Sequence, residues 1–164
     1  MTFKNNLKLF LRNFGIDINR YNIHESFDYR LQNYLNSMKV DLVIDVGANN
    51  GQYGESLRKL GYRGNILSFE PLKNEYKTLI AKTSKDNKWK CLNLGLGEKD
   101  ETKSINIAEN SVSSSILKIL DKHIHANERS KYVSNQLIQL KRLDQVFNFQ
   151  KENYKNIFLK IDTQ

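Results

Sequence analysis

Asp45, Gly47, Gly51 and Glu70 are the residues whose types and spacing could do chemistry. The apolar run Leu42-Val43-Ile44-Asp45-Val46 leads into Gly47-Ala48-Asn49-Asn50-Gly51. Glycine in such a turn lets the backbone come within contact distance of a ligand, and a helix opening behind it offers unpaired N–H groups. Glu70, followed by Pro71, closes the next apolar run. A carboxylate at that place can accept both hydrogen bonds of a ribose diol. The two features together specify an adenosine-type ligand at the carboxyl ends of adjacent strands.

Glycine spacing decides between adenosine ligands. A dinucleotide site wants G-x-G-x-x-G, whereas this turn has only Gly47 and Gly51. A phosphate-binding loop needs Lys and then Ser or Thr after its last glycine, and here Gln52 and Tyr53 follow. S-adenosylmethionine needs no phosphate cradle; it needs room by the turn for its methionine moiety and a polar group such as Asp45 nearby. That reading fits.

These residues require a parallel sheet to position them. From Asp41 onward strands alternate with helices in the α/β manner. Strands are expected at 42–46, 65–69, 90–94 and 157–161, each a short apolar run, with 104–108 and 137–140 as further strands. Helices are expected through Tyr53, Leu57 and Leu60 to a stop at Gly61, and through Tyr76, Leu79 and Ile80. Asp144 is a plausible N-cap for a short helix through Val146 and Phe147. The polar stretch 111–132 reads as a short helix and a surface loop of the kind that covers sites.

Two helices precede the sheet. Phe3, Leu7, Phe10, Leu11 and Phe14 recur at helical spacing among Lys4, Lys8 and Arg12, and Gly15 is a stop. This basic amphipathic stripe suits either packing against the domain or peripheral contact with an anionic membrane surface. A second helix is expected from Ser26 to Met38, burying Phe27, Leu31, Tyr34, Leu35 and Met38. The organisation is thus an N-terminal helical extension over 1–40 and an α/β domain over 41–164. A strand at 157–161 that closed the chain would be an unprotected apolar edge, so the sheet is expected to be incomplete at its C-terminus.

A formal charge of +8 spread over 164 residues reads chiefly as a lysine-coated surface and selects no partner. The single cysteine, Cys91, allows no disulfide within the chain and reads as a small core residue. With no signal-peptide core and no membrane-spanning apolar run, the chain reads as cytoplasmic.

The runs 43–53 and 57–64, then Ser68-Phe69-Glu70-Pro71, and later 110–117 with Ser113, Ser114 and Ser115, resemble the FkbM family of S-adenosylmethionine-dependent methyltransferases. Leu143-Asp144 and 159–162 continue the likeness, which extends over nearly the whole chain. The resemblance implies a class I Rossmann-like fold, doubly wound and mostly parallel. It also implies O-methylation of a hydroxyl on a sugar, glycan or small natural product. By position it assigns Asp45, Gly47, Ala48, Asn49, Gly51, Tyr53, Glu70 and Pro71 to the cofactor. Asn93 and Gly95 would lie near adenine, with Ser113 and Ser114 completing the set. The family usually has alanine at Gly95.

Methyl transfer requires the acceptor oxygen on the methyl axis and a group to take its proton. His123, in the loop after the serines, is the nominated base, and Asp162, at the end of the last strand, is the second catalytic candidate. His123 and His125 do not make a metal site. A nucleic-acid methyltransferase is the enzymatic rival, favoured by charge, but Asp162-Thr163-Gln164 lacks the prolines and aromatic that amino-group methylases carry there. A cofactor-binding fragment without turnover is the other alternative. Oligomeric state is not legible.

Overall fold

The computed structural model of the chain describes residues 7, 10–16, 26–117, 131–148 and 153–163. The chain divides into two compact units, Met1–Leu31 and Gln32–Gln164. In the first, Leu7 and the segment from Phe10 to Arg12 are helical. Gly15 (φ +74°) ends the helix, with Gly15 N–H donating to Arg12 O and Ile16 N–H to Leu11 O, so the expected stop is present. Phe10 and Phe14 meet edge to face, 5.2 Å between centroids, and with Leu7 they are exposed.

Helix α1 spans Phe27–Ser37. It buries Leu31 and Leu35, one turn apart, whereas Phe27, Tyr34 and Met38 are exposed, against the wider buried face expected. An i, i+4 pair of leucines is a narrow stripe, and the bulkier side chains fall beside it.

The second unit carries the sheet. Strand β1 (Leu42–Val46) is followed by α2 (Gln52–Lys59), β2 (Asn65–Phe69), α3 (Lys73–Thr83), β3 (Trp89–Leu92) and β4 (Gly95–Leu96). Then come β5 (Glu101–Ala108), a single 3₁₀ turn (Ser111–Ser113), β6 (Tyr132–Lys141), α4 (Leu143–Val146) and β7 (Ile157–Ile161). Strands β3, β2, β1 and β7 lie in that order in a parallel sheet. This is the mixed α/β, mostly parallel, Rossmann-like architecture expected. All five β1 side chains are buried, because neighbouring strands flank it and both faces are covered. Leu42, Ile44 and Val46 share one face and pack with Phe69 and Phe147, while Val43 and Asp45 point to the other.

β1 and β2 have the limits read from sequence. β3 starts one residue earlier and stops before Asn93. β7 is not the buried strand expected: among the described residues its sheet neighbour is β1 alone, and Leu159 and Ile161 are exposed.

A second sheet, ordered β4-β6-β5, pairs β5 and β6 antiparallel over nearly their whole length. Both strands are longer than expected, since Glu101–Lys103 and Val133–Asn135 are polar or exposed stretches held only by the ladder. Their shared inner face carries Ile105, Ile138 and Leu140, which cluster with Leu72. Asp144 is not an N-cap. Arg142 holds that position, and Asp144 sits in the first turn of α4 in an ion pair with the Arg142 guanidinium. Cys91 is half-buried, with Sγ 3.6 Å from Thr83 Oγ1.

Candidate active site

The turn after β1 is held in place by β2. Gly47 and Ala48 N–H both donate to Phe69 O, at 3.1 and 3.0 Å, and Asn49 N–H donates to Glu70 Oε2 at 2.7 Å. Asn50 N–H is taken by Asn49 Oδ1 and Gly51 N–H by Ala48 O. The amides from Gly47 to Gly51, ahead of the helix, are therefore all taken up within the chain. A turn with no spare donors cannot cradle phosphate, in agreement with the glycine spacing.

Gly47 is required on two counts. Its φ of +75° belongs to the left-handed region, and a Cβ there would stand 2.2 Å from the carbonyl oxygen of Asp162. The approach arises because Asp162 N–H continues the β1–β7 ladder by donating to Val46 O. Gly51 (φ +89°) opens α2 but faces away from the cavity, toward Leu79 and Trp89.

Glu70 is nearly fully buried. Its Oε2 accepts from Asn49 N–H and its Oε1 from Leu72 N–H at 2.8 Å, so one carboxylate ties the glycine turn to the start of α3. Burial pushes the carboxyl up to about 7, against the two amide bonds that pull it down. Asn93 lies behind it, Nδ2 donating to Glu70 O and Pro71 O at 2.9 and 3.1 Å. It braces the Glu-Pro turn.

Asp45 is completely buried. It faces Lys160, its direct partner in the β1–β7 register. Lys160 Nζ stands 2.9 Å from Asp45 Oδ1, an ion pair without hydrogen-bond alignment, which leaves Oδ1 with no aligned donor. Oδ2 takes a long 3.5 Å bond from Ser68 Oγ, which accepts from Trp89 Nε1 at 3.0 Å. Burial raises the Asp45 carboxyl above the usual carboxylate range even though Lys160 opposes it. Lys160 Nζ also donates to Gly47 O at 3.3 Å and lies 5.3 Å from the centre of the Tyr53 ring. Burial, with Asp45 adding to it, pushes the Tyr53 phenol up to about 12, so it keeps its proton at neutral pH.

These groups surround a cavity of about 530 Å³, within the size range of small-molecule sites. Of the residues expected to hold a cofactor, Gly47, Ala48, Asn49, Tyr53, Glu70 and Pro71 line it, as do Gly95 and Ser114. Asp162 lines it at the end of β7. Asp45, Gly51, Asn93 and Ser113 do not: Asp45 lies behind Lys160, and Ser113 donates its N–H to Asn110 Oδ1, which caps the 3₁₀ turn. His123 and His125 lie outside the described residues. Among the described residues no group of three His, Cys, Asp or Glu is placed to hold a metal.

Among the lining residues that sequence reasoning did not assign, two join the elements of the site. Ser111 Oγ accepts from Asn49 Nδ2 at 3.0 Å, joining the serine loop to the glycine turn. Lys160 is the other. The signal for it was present: two otherwise apolar strands, 42–46 and 157–161, each carry one charge at the fourth position. Opposite charges interrupting two buried runs argue that the runs are neighbours.

None of the curated proteins matches the chain. Among the described residues no helix is long and apolar enough to cross a membrane. A family model, the methyltransferase FkbM domain, matches residues 45–164, from the carboxylate of β1 through the end of β7. With the glycine turn, the buried Glu70 and the parallel sheet that brings them together, this match makes the chain a member of the FkbM methyltransferase family.

Proposed function

We propose that the cavity binds S-adenosylmethionine and that the domain transfers its methyl group to a hydroxyl of a sugar, glycan or small natural product. The observation that carries this reading is Glu70, a buried carboxylate on the cavity wall anchored by two backbone amides. With both oxygens fixed, its remaining lone pairs are oriented to accept from a ribose diol. A turn without phosphate donors and a wall of Ile105, Ile138 and Leu140 beside Pro71 and Gly95 suit an adenine without a pyrophosphate. When bound, the cofactor supplies an electrophilic methyl group. The chain's part is to hold ribose at Glu70, keep the turn at contact distance through Gly47, and exclude water with the apolar wall.

The acceptor reading is supported by the neutral polar groups of the lining, Gln52, Ser56, Ser111 and Thr163. Hydroxyls and amides suit a hydroxylated acceptor. Lys160 is the one cation among the lining residues, which gives a nucleic-acid backbone little to bind. Calorimetry tests the cofactor: S-adenosylmethionine and S-adenosylhomocysteine should bind, NAD and ATP should not. Glu70→Ala should weaken binding by about 1–3 kcal/mol. A wild-type protein that binds neither sulfur nucleoside would sink the proposal.

A further inference from the structure

β7 delivers two opposite charges to one end of the cavity. Lys160 and Asp162 are two residues apart on an extended chain, so they share a face, and both line the cavity beside Gly47. They are not closed on each other. Lys160 Nζ lies 3.6 Å from Asp162 Oδ2, beyond the range of about 2.7–3.2 Å for an N–H···O bond. The Lys160 side chain is 19% exposed and that of Asp162 76%.

Lys160 is fixed from behind. Its ammonium forms an ion pair with Asp45 Oδ1 and donates one of its three N–H bonds to Gly47 O, which leaves donor capacity for the cavity. Asp45 is buried and is the direct partner of Lys160 in the β1–β7 register, which anchors the ammonium from behind. In front stands a solvated carboxylate for which Lys160 is the ion-pair partner among the described residues. The result is a cation and an anion side by side, each with capacity to spare.

Such a pair discriminates by charge pattern. A lone anion would gain Lys160 but face Asp162, with the Asp45 carboxyl behind. A lone cation would gain Asp162 and face Lys160. A zwitterion with its charges a few bonds apart satisfies both.

We propose that Lys160 and Asp162 clamp a zwitterionic α-amino-acid group, with the ligand carboxylate on Lys160 Nζ and its ammonium on Asp162. This rests on the reading of the cavity as an S-adenosylmethionine site and deepens it: Glu70 accounts for the ribose, and the clamp accounts for the amino-acid end. Asp162 is then a binding residue.

The test compares two ligands that differ only at that end. Calorimetry measures S-adenosylhomocysteine and 5′-methylthioadenosine, which lacks the amino-acid group, on wild type, Lys160→Met and Asp162→Asn. Each substitution should weaken S-adenosylhomocysteine about 10–100-fold, the range for hydrogen bonds to charged groups. Methylthioadenosine affinity should stay within about twofold, since it never reaches the clamp. Equal weakening of both ligands, or of neither, overturns the clamp while leaving the cofactor reading intact. Failure of wild type to bind either ligand overturns the cofactor reading, and the clamp with it. If Lys160→Met does not fold because Asp45 is left buried without its cation, Asp162→Asn, at an exposed carboxylate, decides the matter alone.

Discussion

The two sheets of the second unit contribute unlike things to one cavity. The parallel sheet, whose central strand β1 is buried on both faces, offers its strand ends: Gly47 after β1, Glu70 after β2, Lys160 and Asp162 at the end of β7. The three-stranded sheet offers a face, with Ile105, Ile138 and Leu140 turned inward and Val133 and Leu137 left in water. Strand ends place a few polar atoms to within a fraction of an ångström, because ladder hydrogen bonds fix them. A sheet face supplies apolar area and volume, and tolerates exchange of one aliphatic side chain for another.

Substitutions on either side put this contrast to work. The largest effect belongs to Gly47→Ala. The new methyl would meet a backbone carbonyl that cannot yield without parting β7 from β1, and the left-handed backbone adds its own penalty. We expect a loss of about 4 kcal/mol or more in denaturant unfolding. A Gly47→Ala protein of wild-type stability would break the comparison.

Ile138→Ala, on the other sheet, should cost about 3 kcal/mol through lost burial and the void left behind. Ile138→Leu should restore most of this. Melting curves of the pair would sharpen the claim that this wall works by volume: equal losses from both substitutions would instead mean that shape matters there as much as at the strand ends.

The smallest effect is one of pH. Burial lifts Glu70 from an ordinary 4.5 to about 7, so the folded state holds a proton that the unfolded state has lost. Its contribution to stability is therefore fullest below about 4.5 and declines as pH rises through about 7. Binding runs the other way, because a ribose diol donates to the ionised form. Affinity for S-adenosylhomocysteine should climb with pH, by at most about tenfold per unit, and level off above about 7. Calorimetry across that range should give a flat profile for Glu70→Gln; a flat wild-type profile would detach Glu70 from the ligand.

What the sequence disclosed follows the same division. β1 and β2 were legible to the residue because continuous apolar runs closed by Gly47 and by Glu70-Pro71 leave no choice of limits. β5 and β6 were underread, since the ladder, not the side chains, makes strands of Glu101–Lys103 and of the first residues of β6. Glu70 and the glycine turn were found as a pair, and the structure joins them directly through the Asn49 amide. Asp45 does not line the cavity but lies behind Lys160. Lys160, which stands in front of Asp45, depends on the β1–β7 register, and pairing between segments more than a hundred residues apart leaves little local trace. Asn93 braces the Glu-Pro turn, a role visible only once β3 is known to end before it.

Trp89 is the chain's single tryptophan. Its ring lies against the bare backbone of Gly54, where a Cβ would come within 2.1 Å, and its indole N–H begins the series Trp89, Ser68, Asp45, Lys160 that ends at the cavity. The protein thus carries one tryptophan fluorophore, buried and joined by hydrogen bonds and an ion pair to the charged end of the cavity. Its emission registers the polarity around that series, so a change of charge environment at Lys160 and loosening of α2 from β3 can be followed optically in unlabelled protein.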